Sequence, residues 1–126
     1  ISNPPFYEND LLPEDGGKNI SKHSTSLNLQ ELIVSAINHV SKNGSMAVLI
    51  PWRRTAVFEN IVSQHLLYIK EKIAVKQTPS HDYFRTMLLL QNQQTSMMQN
   101  EIIIKNSSGD YSDEFKFLLK DYYLYL

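Results

Sequence analysis

Met46-Ala47-Val48-Leu49-Ile50-Pro51-Trp52-Arg53-Arg54 is the stretch on which the fold turns. Residues 46–50 are continuously apolar and do not alternate with polar ones. A run that short, lying between two helical patterns, reads as a parallel strand buried on both faces. Pro51 to Arg54 is the loop at its carboxyl end. Upstream, Leu29, Leu32, Ile33, Ala36, Ile37 and Val40 recur at helical spacing and predict a helix over 27–43. Asn28 and Glu31 suit a capping box, Leu27 and Leu32 a hydrophobic staple, and Gly44 a left-handed C-terminal cap. Downstream, Val57, Phe58, Ile61, Val62, Leu66 and Ile69 predict a helix over 55–69, with Thr55 as its cap. Helix, strand, helix points to a doubly wound α/β sheet.

Farther along, residues 70–77 and 83–91 read as two strands joined by Thr78-Pro79-Ser80-His81-Asp82. They predict an antiparallel hairpin at the sheet edge. Gln91 to Gln99 reads as a polar loop. Glu101 to Lys105 holds three consecutive isoleucines and predicts a strand, broken by Asn106-Ser107-Ser108-Gly109-Asp110. Ser112, followed by Asp113 and Glu114, starts a last helix over about 113–121. The tail Tyr122-Tyr123-Leu124-Tyr125-Leu126 is expected to pack back on the body.

Composition narrows the functions available. The chain has 126 residues, 12 basic and 13 acidic side chains, and no cysteine. The length suits a single domain. Near-zero net charge argues against a basic nucleic-acid arm. The missing thiols exclude a disulfide framework, a Cys-ligated zinc site and a thiol nucleophile. His23, His39, His65 and His81 are scattered, none at the i, i+4 spacing of a helical zinc pair, so no metal is expected. The longest apolar run falls far short of the ~20 residues that span a bilayer. No membrane partner and a cytoplasmic location are therefore expected. His65 reads as a core-edge residue, Met97-Met98 as loop or edge packing, and Trp52 as a loop residue capping the core, with part of a substrate wall as the alternative.

The chemistry is concentrated at the other end, in Asn3-Pro4-Pro5-Phe6. Two adjacent prolines stiffen the backbone and remove two donors, so their carbonyls are free to face a ligand. Asn3 supplies a side-chain acceptor, and Phe6 supplies a flat ring. The set suits a planar substrate with an exocyclic amine. The Asn3 oxygen and the Pro4 carbonyl each accept one N–H while the ring stacks on Phe6. A chance match to this pattern in such a chain has a probability of roughly 0.3% at average composition, so loop punctuation alone is a poor account of it. The segment also sits where a strand would end, the end at which open α/β sheets bind ligands.

These residues resemble the end of the fourth strand and the catalytic motif of class I S-adenosylmethionine-dependent amino-methyltransferases. More narrowly, the chain resembles the bacterial enzymes that methylate N6 of an adenine beside the anticodon of a valine tRNA. Three pieces carry the likeness: Asn3 to Asn9; His23 with Ser26 to Leu32; and the C-terminal run of Glu101 to Lys105, Gly109 to Phe115 and Lys120 to Leu124. The resemblance implies an α/β fold, the C-terminal half of a Rossmann-like methyltransferase sheet with an antiparallel edge hairpin, over residues 1–126. It implies S-adenosylmethionine as cofactor and tRNA as partner. Asn3, Pro4, Pro5 and Phe6 would be catalytic, with Asn3 also touching the cofactor. Tyr7, Lys22, His23, Arg53 and Arg54 are candidate RNA contacts. Lys22 stands where the family commonly carries Arg, and the two are not interchangeable at a phosphate.

The family's glycine-rich cofactor turn does not occur in this sequence, whose four glycines form no G-x-G. The chain is therefore expected to lack the cofactor-binding half, to be inactive alone, and to self-associate through an unpaired sheet edge. Alternatives within the chemistry are DNA adenine, ribosomal guanine N2 or protein glutamine as acceptor. Outside it, the alternative is a non-catalytic interaction module.

Overall fold

The computed structural model describes residues 1–4 and 20–123. Its centre is a four-stranded sheet. The strands are β1 (Ser45–Pro51), β2 (Tyr68–Lys76), β3 (Tyr83–Gln91) and β4 (Met98–Ile103), in the order β1-β3-β2-β4. The helices are α1 (Ile20–His39), α2 (Thr55–Gln64) and α3 (Asp113–Leu119), and a short 3-10 turn, Trp52–Arg54, links β1 to α2.

The expected antiparallel hairpin forms as β2 and β3, but it lies inside the sheet. β3 pairs antiparallel with β1, and β4 joins β2 in parallel. β1 is thus parallel only to the Ser2 segment, through a bridge to Val48, and antiparallel on its other side. A pattern apolar on both faces reports burial, not the direction of a neighbour.

α1 and α2 cover one face of the sheet. Leu29 and Ile33 of α1, Phe58, Ile61 and Val62 of α2, and Val48, Ile50, Leu88 and Leu90 of the strands make one core. Beside it, the Thr55 and Thr86 hydroxyls, both buried, bond to each other at 2.6 Å. Each satisfies the other, as a buried hydroxyl must. The opposite face is flanked by α3, which leaves an open apolar groove of about 580 Å³ walled by Leu49, Ile73, Val75, Met87, Phe115 and Leu118. Among the described residues no helix is long and apolar enough to cross a membrane.

Several boundaries move. α1 starts at Ile20, so Asn28 lies inside it rather than capping it. Thr55 is the first residue of α2 instead of its cap, and its hydroxyl serves Thr86. Among the described glycines only Gly109 has positive φ. Gly44 sits in a crowded spot instead: a Cβ there would meet Ser41 Oγ at 2.8 Å and Val40 Cγ1 at 3.0 Å, so these side chains would have to shift. β4 begins at Met98, inside the segment read as loop, and Tyr122 and Tyr123 are exposed rather than packed on the body. As expected, His65 sits at the core edge, its Nδ1 2.9 Å from the Ile61 carbonyl. Ser112 caps α3, accepting from the Phe115 N–H at 3.1 Å and donating to the Ile103 carbonyl at 2.6 Å.

α2 stops at Gln64 because the chain turns through Leu66, a non-glycine residue at φ 56°. The turn lets His65 and Leu67 both donate to the Val62 carbonyl and aims Leu67 into the core, while Leu66 itself is exposed. A branched side chain in the left-handed region costs about 1 kcal/mol. Leu66→Gly is therefore expected to stabilise the fold by about 0.5–1 kcal/mol, read as a higher urea midpoint at unchanged m value.

Candidate active site

Strand direction brings the site together. β1, β2 and β4 run parallel, so Pro51, Lys76 and Ile103 mark one end of the sheet, and the antiparallel β3 starts there at Tyr83. The chain's first residues finish at the same end. Ser2 donates to the Ala47 carbonyl at 2.8 Å and accepts from the Leu49 N–H at 3.0 Å. Asn3 and Pro4 therefore leave the sheet beside the last residues of β1.

The Asn3 side chain is exposed and Pro4 is half-buried. That is the placement needed to present a side-chain amide and a backbone carbonyl to a ligand outside the strand ends. Arg53 and Arg54 follow β1 directly, in the turn before α2, on the neighbouring strand of the same end. Neighbouring strands lie about 4.8 Å apart, so the turn that carries Arg53 and Arg54 follows the strand next to the Ser2 segment. Pro5, Phe6 and Tyr7 lie outside the described residues, as do the side chains of Lys22 and His23 in the first turn of α1.

At the strand ends the described residues offer the Asn3 side-chain amide and the Pro4 carbonyl. No glycine cradle for a cofactor stands beside them, because the described glycines, Gly44 and Gly109, belong to other turns. Among the described residues no three His, Asp or Glu side chains are grouped to hold a metal ion.

Farther along is a cluster of which the sequence marked only Trp52. The rings of Trp52 and Tyr83 pack with centroids 4.6 Å apart and planes at 41°. Lys72 Nζ lies 5.9 Å from the Trp52 ring and bonds Glu59 at 2.6 Å. Lys76 Nζ stands 4.6 Å over Tyr83 and 3.3 Å from Glu101. The Tyr83 hydroxyl donates to Glu101. That bond holds the Glu101 carboxyl below its ordinary range, with Lys76 helping, and raises the Tyr83 phenol. Glu101 is thus ionised and Tyr83 protonated throughout the neutral range. Trp52 is half-buried, and the turn that carries it has no buried residue, so it does not cap the core as expected. The available signal was the position of Trp52, directly after a strand's carboxyl end.

No family model matches the chain. It is 30% identical over 125 residues to a protein of Pseudoalteromonas translucida named tRNA1(Val) (adenine(37)-N6)-methyltransferase, covering 98% of this chain and 53% of that protein. A protein of the same name from Christiangramia forsetii is 31% identical over 126 residues, covering 100% and 52%. The chain spans about half the length of the curated relatives it matches. Among solved structures, a predicted O-methyltransferase from Agrobacterium tumefaciens superposes with a TM-score of 0.62 at 11% identity, over 73% of this chain and 45% of that one. The chain is thus similar from end to end to about half of a tRNA1(Val) adenine-N6-methyltransferase, and it shares the fold of a methyltransferase.

Proposed function

We propose that the whole protein containing this chain transfers a methyl group from S-adenosylmethionine to N6 of an adenine in tRNA, beside the anticodon, as a cytoplasmic tRNA-modifying enzyme. The observation that carries this reading is the exit of Asn3-Pro4 from the sheet at the carboxyl end of its parallel pairing with β1. The similarity to tRNA methyltransferases supports the substrate class.

S-adenosylmethionine supplies an electrophilic methyl group when bound. This chain holds the acceptor. The Asn3 side-chain oxygen and the Pro4 carbonyl each accept one N–H of the amine, which aims the nitrogen lone pair away from the ring plane. Phe6 stacks on the extruded base. Tyr7, Lys22, His23, Arg53 and Arg54 are the candidate contacts to the surrounding RNA. Rate comes mainly from orientation, since no covalent enzyme intermediate is needed.

We further infer that residues 1–126 are the C-terminal, substrate-side half of the catalytic domain. The half-length match to the relatives supports this, as does the apolar groove on the face opposite α1 and α2, which suits cover by the rest of the protein. If the chain is purified alone, that face and the sheet edge at Ile1 would favour self-association.

The test is transfer of labelled methyl by the whole protein to unmodified tRNA, DNA, ribosomal RNA and protein substrates in parallel. Label in tRNA adenine alone is the expected result, with none transferred by residues 1–126 on their own. Label in another acceptor, or activity of the isolated chain, would overturn the corresponding part.

A further inference from the structure

Beyond Asn3 and its surroundings, the sheet face beside α2 carries an open cleft of about 320 Å³ that reaches the carboxyl end at Trp52 and Tyr83. It is lined by the Trp52 and Tyr83 rings, by Lys72 and Ala74 of β2, and by Gln99, Asn100 and Glu101 of β4, with the Tyr83 hydroxyl bonded to Glu101. We propose that this cleft takes one unpaired nucleobase of the substrate RNA, flanking the methylated adenine, by stacking on the aromatic wall and bonding to the polar wall. The proposal rests on the tRNA reading above.

Its position fits. From the Ser2 segment the strands run β1, β3, β2, β4. At about 4.8 Å per strand, the Trp52 and Tyr83 mouth of the cleft lies roughly 10–20 Å across the strands from Asn3. That is the reach of a neighbouring loop nucleotide once the target base is extruded. Single-stranded RNA is read in this way, by aromatic rings under the bases and side chains on their edges.

The chemistry favours a base over a phosphate. Lys72 is paired with Glu59 and Lys76 with Glu101, so the cleft has no net positive charge to attract a phosphate. Its polar side holds the Gln99 amide and the ionised Glu101 carboxylate, which together offer donors and acceptors to a base edge, while the Asn100 amide is bonded to Glu71 at 3.2 Å. Ala74 matters by its size. A longer side chain there would occupy the space in which a base must lie.

The same proposal accounts for a residue the core does not use. Trp52 is not among the residues packed against the core cluster. Trp52 instead sits in a turn without a buried residue, with its ring against Tyr83 at the mouth of the cleft.

The experiment uses the whole protein and unmodified tRNA. Trp52→Ala is expected to raise KM for tRNA about 5- to 150-fold, the range set by alanine replacement of a stacking aromatic, with kcat at saturating tRNA changed less than about threefold. Ala74→Leu leaves the aromatic pair in place and should raise KM in the same direction. It stands as the test if Trp52→Ala unfolds. Trp52 is the only tryptophan in these 126 residues. Titration with the anticodon stem-loop should quench a fluorescence component that Trp52→Phe removes. An abasic nucleotide next to the target adenine should abolish both the quenching and the KM penalty of Trp52→Ala. If wild-type protein methylates tRNA while KM and fluorescence ignore these changes, the cleft proposal falls and the tRNA reading stands. If wild-type protein does not methylate tRNA, both fall.

Discussion

Asn3→Ala in the whole protein is expected to cut methyl transfer to tRNA by roughly 10²- to 10³-fold, the loss seen when one preorganised polar contact to a reacting centre is removed. KM for tRNA should move little, because Asn3 touches one amine of a large substrate whose affinity comes mainly from phosphate contacts. A fall in kcat with steady KM marks an interaction made chiefly in the transition state. Stability should stay within about 0.5 kcal/mol, since the side chain is exposed and away from the core. Asn3→Asp keeps one acceptor oxygen and should retain part of the rate. Single-turnover methylation, with a thermal melt of each variant, checks all three statements. Unchanged transfer by Asn3→Ala would remove its assigned role and favour the non-catalytic interaction module.

Phe58→Ala should be the most damaging substitution to stability. Phe58 is fully buried among Ile33, Val48, Ile50, Val62, Leu88 and Leu90. Removing a ring from such a site costs about 3–5 kcal/mol, because transfer energy is lost and a cavity is left. That is comparable with a large part of the 5–15 kcal/mol that holds an ordinary domain together. The urea midpoint should fall steeply at constant m value, and Phe58→Leu should cost less by filling part of the space. The effect reaches function through α2. Phe58 anchors the first turn of that helix to the sheet, and the turn before it carries Trp52, Arg53 and Arg54 to the carboxyl rim.

Much of the local structure was legible because its causes are local. Leu29, Ile33 and Ala36 are buried on one face of α1, and Ser112 caps α3, as their spacing and side chains predict. The two strands of the hairpin sit within two residues of their expected ends. The errors fall where a tertiary contact outbids a local one. Thr55 looks like a cap until Thr86, 31 residues away, claims its hydroxyl. The apolar pattern of β1 could not tell that its neighbour would be antiparallel β3. Leu66 shows no sign of a left-handed residue, yet closing α2 onto β2 requires one there. The apparent cap at Asn28 yields to a helix that begins at Ile20.

The site divides in the same way. The sequence by itself determined which chemical groups the motif offers, because Asn3, Pro4, Pro5 and Phe6 are contiguous and their properties follow from covalent structure: fixed φ, missing donors, an amide and a ring. Only the tertiary structure decided what stands around them. Placing the turn of Arg53 and Arg54 after the strand next to the Ser2 segment, and assembling Trp52, Tyr83, Ala74 and Glu101 into one cleft, depends on strand order. Strand order is set by which apolar faces can be buried together across the whole chain. No window of neighbouring residues contains that information.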